Sequence, residues 1–303
     1  MKIVVNLINF GPGASLDSML RWTRLTEALG YHLLMTSDHI AVTPDVTARY
    51  PAPFWEPFTL LGWMAAKARR IELGTTVIIV PYRHPLDTAR MVAQVDHLTG
   101  GRFIFGVGVG WAKQEFDALG LPFEKRGAMT NEYLEAIKTC WAHARASFDG
   151  RFVTFRDVDT TPLPIRRPPI WVGGGSDAAM RRAAVHGDAW HPIRIKESVM
   201  REALPRLRKM ADEAKRPMPD FCPRMRLCLT EKPMPEDTRL MGHGTVDQVR
   251  QDMAALLEMG ASYVLLDTSI SEDILATKNH EAAWAMLATM ADRVLDLAHE
   301  SLR

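Results

Sequence analysis

An aspartate and a histidine stand side by side, as Asp38-His39, directly after the apolar run Leu33 to Thr36. The imidazole of histidine titrates near neutral pH, so His39 is suited to act as a general acid or base. Asp38 could orient that ring or bind a cofactor ring itself. A helix cap or a loop hydrogen bond would use the same residue types, but we predict His39 and Asp38 as catalytic residues.

A second feature is glycine at every other position of a strand pattern, at Gly106, Gly108 and Gly110. Successive side chains of a strand point to opposite faces, so these glycines leave one face nearly bare. The pattern favours a bulky or planar group lying against the backbone, although large neighbouring core side chains would need the same space. The spacing G-x-G-x-G within a strand is not the dinucleotide-binding fingerprint, which is G-x-G-x-x-G at the start of a helix.

A run of three glycines leads from another strand pattern into a helical pattern that begins near residue 176. Exposed N–H groups at a helix N-terminus bind phosphate, while a tight structural turn is the alternative use of such glycines. The segment 191–196 could add positive charge to a phosphate at this place. The residues that we predict to bind the phosphate of a cofactor are Gly173, Gly174, Gly175, Ser176 and Arg194.

These residues must be positioned by a sheet, because strand-like runs alternate with helical patterns to the end of the chain. Such alternation predicts a parallel sheet and, at 303 residues, an α/β protein with a (β/α)8 TIM barrel. We expect one barrel domain over residues 1–303, with insertions near 147–169 and 217–244. The predicted strands are Ile3 to Leu7, Leu33 to Thr36, Ile71 to Val80, Phe103 to Val109, Ile170 to Val172, Asp188 to Trp190, Arg226 to Leu229 and Tyr263 to Leu266.

Two local patterns predict particular structures. Asp149-Gly150 stands between two β-rich runs and predicts a hairpin turn. Thr245 followed three residues later by Gln248 predicts a capping box at the start of a helix.

In a TIM barrel the active site lies at the carboxyl ends of the strands, so residues just after each strand are candidates. Trp111 at that end could wall a ring pocket, whereas Glu115 is expected to face solvent on a short helix. We predict that Trp55, His84 and Trp111 line the substrate pocket.

Composition narrows the class of partner. The net charge is +1, from 37 basic and 36 acidic residues, which gives no electrostatic attraction to nucleic acid or to an anionic membrane. The 3 cysteines form no C-x-x-C pair and no even framework, so reduced thiols in a cytoplasmic protein are expected, with no metal site. The N-terminus has no apolar core of signal-peptide length. A small-molecule substrate is therefore the expected partner.

The chain resembles the luciferase-like monooxygenase superfamily in an ordered set of motifs that covers about residues 1 to 270, and their arrangement is most similar to its coenzyme F420-dependent branch. The motifs are Ser37-Asp38-His39, Leu73 to Val77, Pro81 to Pro85, Asp96 to Arg102, Gly106 to Trp111 with Glu115-Phe116, Arg126-Gly127, Pro168 to Gly174 and Gly187 to Trp190.

The resemblance implies an oxidoreductase that holds a flavin-shaped cofactor, with coenzyme F420 favoured over FMN, and whose ring lies over the strand ends. Asp38 and His39 would lie near the ring, and Thr76 and Val77, joined by a non-proline cis peptide bond, would back it beside Gly108. The family usually forms homodimers, and a separate flavin or F420 reductase could serve as a partner. One position departs from the pattern, because the deazaflavin sugar-phosphate dehydrogenases have a catalytic glutamate where this chain has Trp111. The substrate and the catalytic acid of those dehydrogenases therefore cannot be assigned to this chain.

Three alternatives remain open at this point. The first is an FMN-dependent monooxygenase that works with a separate reductase. The second is a phosphate-binding barrel lyase or isomerase that uses His39 and a carboxylate without a coloured cofactor. The third is a non-catalytic flavin-binding relative, which would bind the ring without turnover.

Overall fold

The computed structural model of the protein describes residues 1–269 and 279–303. The strands are β1 Lys2–Asn6, β2 Leu33–Thr36, β3 Glu72–Thr75, β4 Ile78–Ile79, β5 Phe103–Gly108, β6 Arg145–Asp149, β7 Thr154–Asp159, β8 Ile170–Gly173, β9 Ala189–His191, β10 Asp220–Phe221, β11 Arg224–Arg226, β12 Cys228–Leu229, β13 His243–Gly244, β14 Tyr263–Asp267, β15 Leu295–Asp296 and β16 Ser301–Leu302. The helices are α1 Leu16–Leu29, α2 Pro44–Thr47, α3 Pro57–Ala65, α4 Pro85–Leu98, α5 Lys113–Ala118, α6 Arg126–Ala142, α7 Asp177–His186, α8 Glu197–Glu213, α9 Val246–Glu258 and α10 Glu281–Arg293.

The central sheet is a closed parallel barrel. Strands β9, β8, β5, β3, β2, β1 and β14 are hydrogen-bonded neighbours in that order. The segment 220–226 closes the sheet, because β10 pairs with β9 and β11 pairs with β14. The predicted (β/α)8 TIM barrel is therefore confirmed.

Alternation along the strands divides the core into two layers. One layer fills the inside of the barrel, and the other lies between the barrel and the helices. On β5 the inward residue Ile104 belongs to the inner layer, whereas Phe105 packs against Trp141 of α6 with ring centroids 5.9 Å apart. The glycine face of this strand therefore points into the barrel, since Gly106 and Gly108 alternate with the outward aromatic and valine side chains.

Neighbouring backbone and side-chain atoms take up the space that these glycines leave. A Cβ at Gly106 would overlap the carbonyl oxygen of Thr75, and a Cβ at Gly108 would lie 2.5 Å from Cγ2 of Val77. The Thr76–Val77 peptide bond is cis, as the family resemblance implied. The bare face of β5 thus accommodates the adjacent segment 75–77. This agrees with the second explanation given for the glycines, in which neighbouring residues of the protein need the space. At Gly108 the bare face also borders the cavity described below.

This crowding predicts a loss of stability on the smallest possible substitution. In Gly106→Ala the new methyl group meets the backbone of Thr75, which cannot rotate away, so we expect the free energy of unfolding to fall by about 3 kcal/mol or more, the upper end for overpacking. Gly62→Ala in helix α3 is the matched control, since its Cβ would meet only Leu98, at 3.9 Å. The control should be unchanged or more stable by about 0.5–1 kcal/mol in chemical denaturation, because alanine favours a helix. Equal stability of the two variants would contradict this account.

Two local predictions are confirmed and two strand boundaries are corrected. Strands β6 and β7 form an antiparallel hairpin around Asp149-Gly150, and Thr245 and Gln248 form a reciprocal capping box. The strand predicted over Ile71 to Val80 is two strands, β3 and β4, interrupted at the cis peptide bond. The strand predicted over 226–229 lies earlier, because its barrel pairings are made by residues 220–226. Within residues 1–269 and 279–303, no helix combines the length and apolar character needed to cross a membrane.

Candidate active site

A cavity of about 340 Å³ opens at the carboxyl ends of the barrel strands. Ligand sites in proteins occupy about 300–1,000 Å³, so this cavity is large enough for a small organic molecule or a ring system. The predicted site residues that line it are Asp38, His39, Thr76, Val77, Gly108, Trp111, Gly173 and Gly174. Its lining also includes Ser37, Tyr50, Phe54, Ile79, Val109, Gly110, His191, Ile193 and Arg224.

Five predicted site residues lie outside this lining. The indole N–H of Trp55 donates a hydrogen bond of 3.3 Å to the Ala14 carbonyl, so its ring packs against the N-terminal loop. His84 is the N-cap of α4, and its Nδ1 accepts a hydrogen bond from the backbone of that helix. The other three, Gly175, Ser176 and Arg194, are exposed. Of the three residues predicted to line the substrate pocket, Trp111 lines the cavity, whereas Trp55 and His84 do not.

His39 is held by a buried carboxylate. Its Nδ1 lies 2.6 Å from Oε2 of Glu115, and both side chains are almost fully buried. A carboxylate accepts hydrogen bonds, so we assign the ring proton to Nδ1. In this tautomer the other ring nitrogen, Nε2, can accept a proton. It has no hydrogen-bond partner among the described residues, and the ring lines the cavity.

Glu115 also accepts hydrogen bonds from three other groups. The backbone N–H groups of Ile40 and Ala41 donate to Oε1 at 2.6 and 3.0 Å. The Tyr82 hydroxyl donates to Oε2 at 2.8 Å, and it stays protonated because burial and the nearby Glu115 carboxylate both raise its pKa. Glu115 therefore connects the loop after β2 to helix α5 through a fully satisfied buried carboxylate.

The expectation that Glu115 faces solvent is wrong, since its side chain is 0% exposed. The signal that could have located it is helical periodicity. In α5, positions 112, 115 and 116 fall on one face, and Ala112 and Phe116 are buried there together with Glu115. A carboxylate on the apolar face of a short helix indicates a buried partner, which sequence reasoning overlooked.

Aromatic rings surround the His39 imidazole on its cavity side. Phe54 and Trp111 meet it edge to face, with centroids 5.2 and 5.8 Å away, and Tyr50 lies tilted at 5.5 Å. Such rings reduce the access of water to the imidazole and leave an apolar wall for a ligand.

Asp38 does not contact the imidazole that follows it in the chain. Both of its oxygens are taken by the guanidinium of Arg83, at 2.7 and 2.8 Å, and one also accepts the N–H of Ile79. Arg83 reaches Glu56 as well, at 3.0 Å. The expected role of Asp38 in orienting His39 is therefore taken by Glu115, while Asp38 anchors the segment after β4.

A second buried network in the lining lies around Thr76. The Nδ1–H of His191 donates to the carbonyl of Cys222, so its Nε2 must accept the proton of the Thr76 hydroxyl, 2.9 Å away. Burial lowers the pKa of His191 to about 4, which keeps its ring neutral at pH 7. His191 therefore cannot add positive charge to a phosphate, contrary to the expectation for segment 191–196.

Arg224 completes this network. Its guanidinium forms an ion pair with Asp267, with an N–O distance of 2.7 Å, and donates to the carbonyl of Thr76 at 2.8 Å. Asp267 is also bound by the Asn6 amide at 2.9 Å. Sequence reasoning missed Arg224 and Asp267, because their strands β11 and β14 become neighbours only when the barrel closes.

The glycine-rich turn after β8 is partly engaged in structural hydrogen bonds. The N–H of Gly174 donates to the His191 carbonyl at 3.2 Å, and its own carbonyl accepts the indole N–H of Trp190 at 2.8 Å. The Ser176 hydroxyl caps helix α7 by accepting the N–H of Ala179. Among the described residues, the backbone N–H groups of Gly175 and Ser176 have no acceptor and remain available to a ligand.

The family model for luciferase-like monooxygenases matches residues 3–235 of this chain. The chain belongs to the luciferase-like monooxygenase family. This membership supports the oxidoreductase class that the motifs predicted. An uncharacterised protein of Mycobacterium tuberculosis is 30% identical in an alignment 181 residues long that covers 55% of this chain and 64% of the relative. The match thus spans less than two thirds of that relative's length.

Two solved structures with the fold of this luciferase-like protein differ in the cofactor that their descriptions name. The coenzyme F420-dependent tetrahydromethanopterin reductase of Methanopyrus kandleri superposes with a TM-score of 0.78 at 16% identity, covering 99% of each chain. The oxygenating constituent of 3,6-diketocamphane monooxygenase from Pseudomonas putida, in complex with FMN, superposes with a TM-score of 0.76 at 16% identity. That match covers 100% of this chain and 99% of the other.

Proposed function

We propose that the protein binds coenzyme F420, or else FMN, in the barrel cavity and transfers hydride or oxygen to a small organic substrate. The observation that carries this proposal is the buried His39–Glu115 pair, which presents one ring nitrogen at a cavity that is also lined by the glycines of two strands. F420 is favoured because the order of motifs resembles the deazaflavin branch of the family.

The lining is suited to a planar ring. Gly108 and Gly173 both border the cavity, and a Cβ at Gly173 would lie 3.0 Å from Cγ1 of Val77. The missing side chains at the two glycines make room for Val77, which lines the cavity and would offer an apolar side chain to the ring. Within the described chain the N–H of Val77 has no acceptor, so it is available to an acceptor atom on the ring.

The bound ring would supply the hydride or oxygen chemistry itself. His39 would hold or transfer a proton at Nε2, since Glu115 keeps the Nδ1 proton in place. The rings of Tyr50, Phe54 and Trp111 would exclude water from the imidazole. The Thr76 hydroxyl already donates its proton to His191. Thr76 would therefore contact the cofactor ring without donating a hydrogen bond to it.

The phosphate of the cofactor would bind at the turn formed by Gly174, Gly175 and Ser176. Two N–H groups without an acceptor in the described chain and the N-terminus of a ten-residue helix favour an anion at this place. A homodimer and a separate flavin or F420 reductase would complete the system, as the resemblance to the family implies.

A binding titration tests the cofactor and its phosphate site together. We expect F420 to bind more tightly than FMN, because the motif order resembles the deazaflavin branch. We expect FMN to bind more tightly than riboflavin, because each charge-assisted hydrogen bond to phosphate contributes about 1.5–3 kcal/mol. Ser176→Asp retains a good N-cap while adding negative charge at the turn. It should therefore weaken FMN by at least about tenfold and leave riboflavin unchanged.

The possible outcomes separate the alternatives. If neither F420 nor FMN binds, the lyase or isomerase hypothesis takes precedence. If FMN and riboflavin bind equally well, the glycines form a structural turn and the phosphate lies elsewhere. Tight binding without turnover in a screen of small alcohols, aldehydes and ketones would favour a non-catalytic flavin-binding protein.

A further inference from the structure

Strand β11 directs two arginines to the inside of the barrel mouth. Met225, between them, is 0% exposed and packs in the outer core, so Arg224 and Arg226 point to the opposite, inner face. Arg224 lines the cavity, and Arg226 lies further toward the carboxyl end of the same strand.

Arg226 has no acidic partner within residues 1–269 and 279–303. The nearest carboxylate along the register is Asp267, which is paired with Arg226 across β11 and β14. Its oxygens are already used, one by Arg224 at 2.7 Å and the other by Asn6 and Ser269. Asp267 therefore neutralises Arg224 and leaves the charge of Arg226 unbalanced.

Two more guanidinium groups without an ion pair in the described chain lie at the same mouth. Arg194 directly follows Ile193, a cavity-lining residue that forms a β-bridge with Arg224. Arg49 stacks on the ring of Trp111, with its central carbon 4.5 Å from the ring centroid. The protein carries a net charge of only +1, so this concentration of positive charge is local.

Burial and neighbouring positive charges both act against the charged form of Arg226. Burial and the nearby charges of Arg194 and Arg224 lower the pKa of Arg226, although Asp267 acts in the opposite direction. A partly buried guanidinium next to two others is stabilised when an anion supplies the missing charge. The planar fork of arginine matches the two oxygens of a carboxylate, sulfonate or phosphate group.

We propose that Arg226, with Arg194 beside it, binds an oxyanion carried by the molecule that occupies the cavity. This inference rests on the proposed function in one respect, namely that the oxyanion belongs either to the substrate or to the phosphate of the cofactor. A substrate with a carboxylate, sulfonate or phosphate group would then be oriented with its anionic end at Arg226.

The test measures the dissociation constants of inorganic sulfate, FMN and riboflavin for the wild-type protein, Arg226→Gln and Arg226→Lys. Arg208→Gln is the matched control, because Arg208 is an exposed arginine on the outer helix α8 and the substitution removes the same charge. In Arg226→Gln we expect sulfate affinity to fall at least tenfold, with partial retention in Arg226→Lys and no change in the control. The Tm without anion should not fall in Arg226→Gln, since no ion pair is lost.

The same titrations identify the source of the oxyanion. If FMN weakens in Arg226→Gln while riboflavin does not, the group is the cofactor phosphate. If sulfate weakens and FMN does not, the group belongs to the substrate. Unchanged affinity for both sulfate and FMN would overturn the proposal. Failure of the proposed function has a different signature, in which sulfate binds in an Arg226-dependent manner but neither FMN nor F420 binds.

Discussion

We expect the His39→Ala variant to retain cofactor affinity within a few fold of the wild type and to lose about 10²- to 10⁴-fold in turnover, the range for removing a general acid or base. The physical reason is that Nε2 of His39 is the ring nitrogen left free at the cavity by the bond to Glu115, while the cofactor would rest mainly on backbone around residues 76–77, 108 and 173–176. The measurement is steady-state kcat with the best substrate of the screen, beside a cofactor titration.

The variant His39→Asn separates proton transfer from positioning. An asparagine can keep one hydrogen bond to Glu115 but cannot titrate. If His39→Asn were to show near-normal turnover across the pH range around neutrality, His39 would position the ring or substrate and move no proton. A large loss of cofactor affinity in His39→Ala would likewise argue against a role confined to catalysis.

The second large effect is expected at Glu115. In Glu115→Gln an NH₂ group replaces one carboxylate oxygen. At Oε1 it would face the backbone N–H groups of Ile40 and Ala41, which can only donate, so we expect it at Oε2, beside His39 and Tyr82. Where the NH₂ faces His39, the imidazole keeps its hydrogen bond only by moving its proton to Nε2. The nitrogen at the cavity then becomes a donor, and we expect turnover to fall by about 10²- to 10⁴-fold, as for loss of a general base.

Glu115→Gln is compared with Glu202→Gln, an exposed glutamate on α8 that controls for the loss of one negative charge. A pH profile of kcat adds a readout that a merely structural role would not move, because the Glu115→Gln variant should lose the limb that reports the imidazole. Wild-type turnover with an unchanged profile in Glu115→Gln would show that Glu115 only supports the fold.

Truncation of the same residue should affect stability as well. Glu115→Ala leaves the N–H groups of Ile40 and Ala41 and the buried Tyr82 hydroxyl without their acceptor, and an unsatisfied buried group costs about 1–3 kcal/mol. Because Glu115 acts through His39, the double variant Glu115→Gln/His39→Ala should turn over no more slowly than His39→Ala alone. Additive losses would indicate independent roles.

Much of the fold could be predicted from local patterns. Alternating strand and helix patterns predict a parallel barrel, since each element carries its periodicity in its own residues. The hairpin at Asp149-Gly150 and the capping box at Thr245 are also local, because the interactions that define them span only a few residues. The motif order along the chain was enough to predict the family and the oxidoreductase class. It also predicted Asp38, His39, Gly108 and Trp111 as site residues, and all four line the cavity.

The partners of these residues depended on contacts that no local pattern contains. Asp38 and His39 are adjacent in the chain, yet one pairs with Arg83 and the other with Glu115, from two different segments after the strands. Trp55 and His84 share residue types with a substrate pocket but pack elsewhere. The role of a buried charged group is set by its hydrogen-bond and ion-pair partners. In a barrel these partners come from segments that are far apart in sequence. The sequence therefore determined which groups could do chemistry, while closure of the barrel decided that Glu115 holds the imidazole, that Arg224 is neutralised by Asp267 and that Arg226 is not.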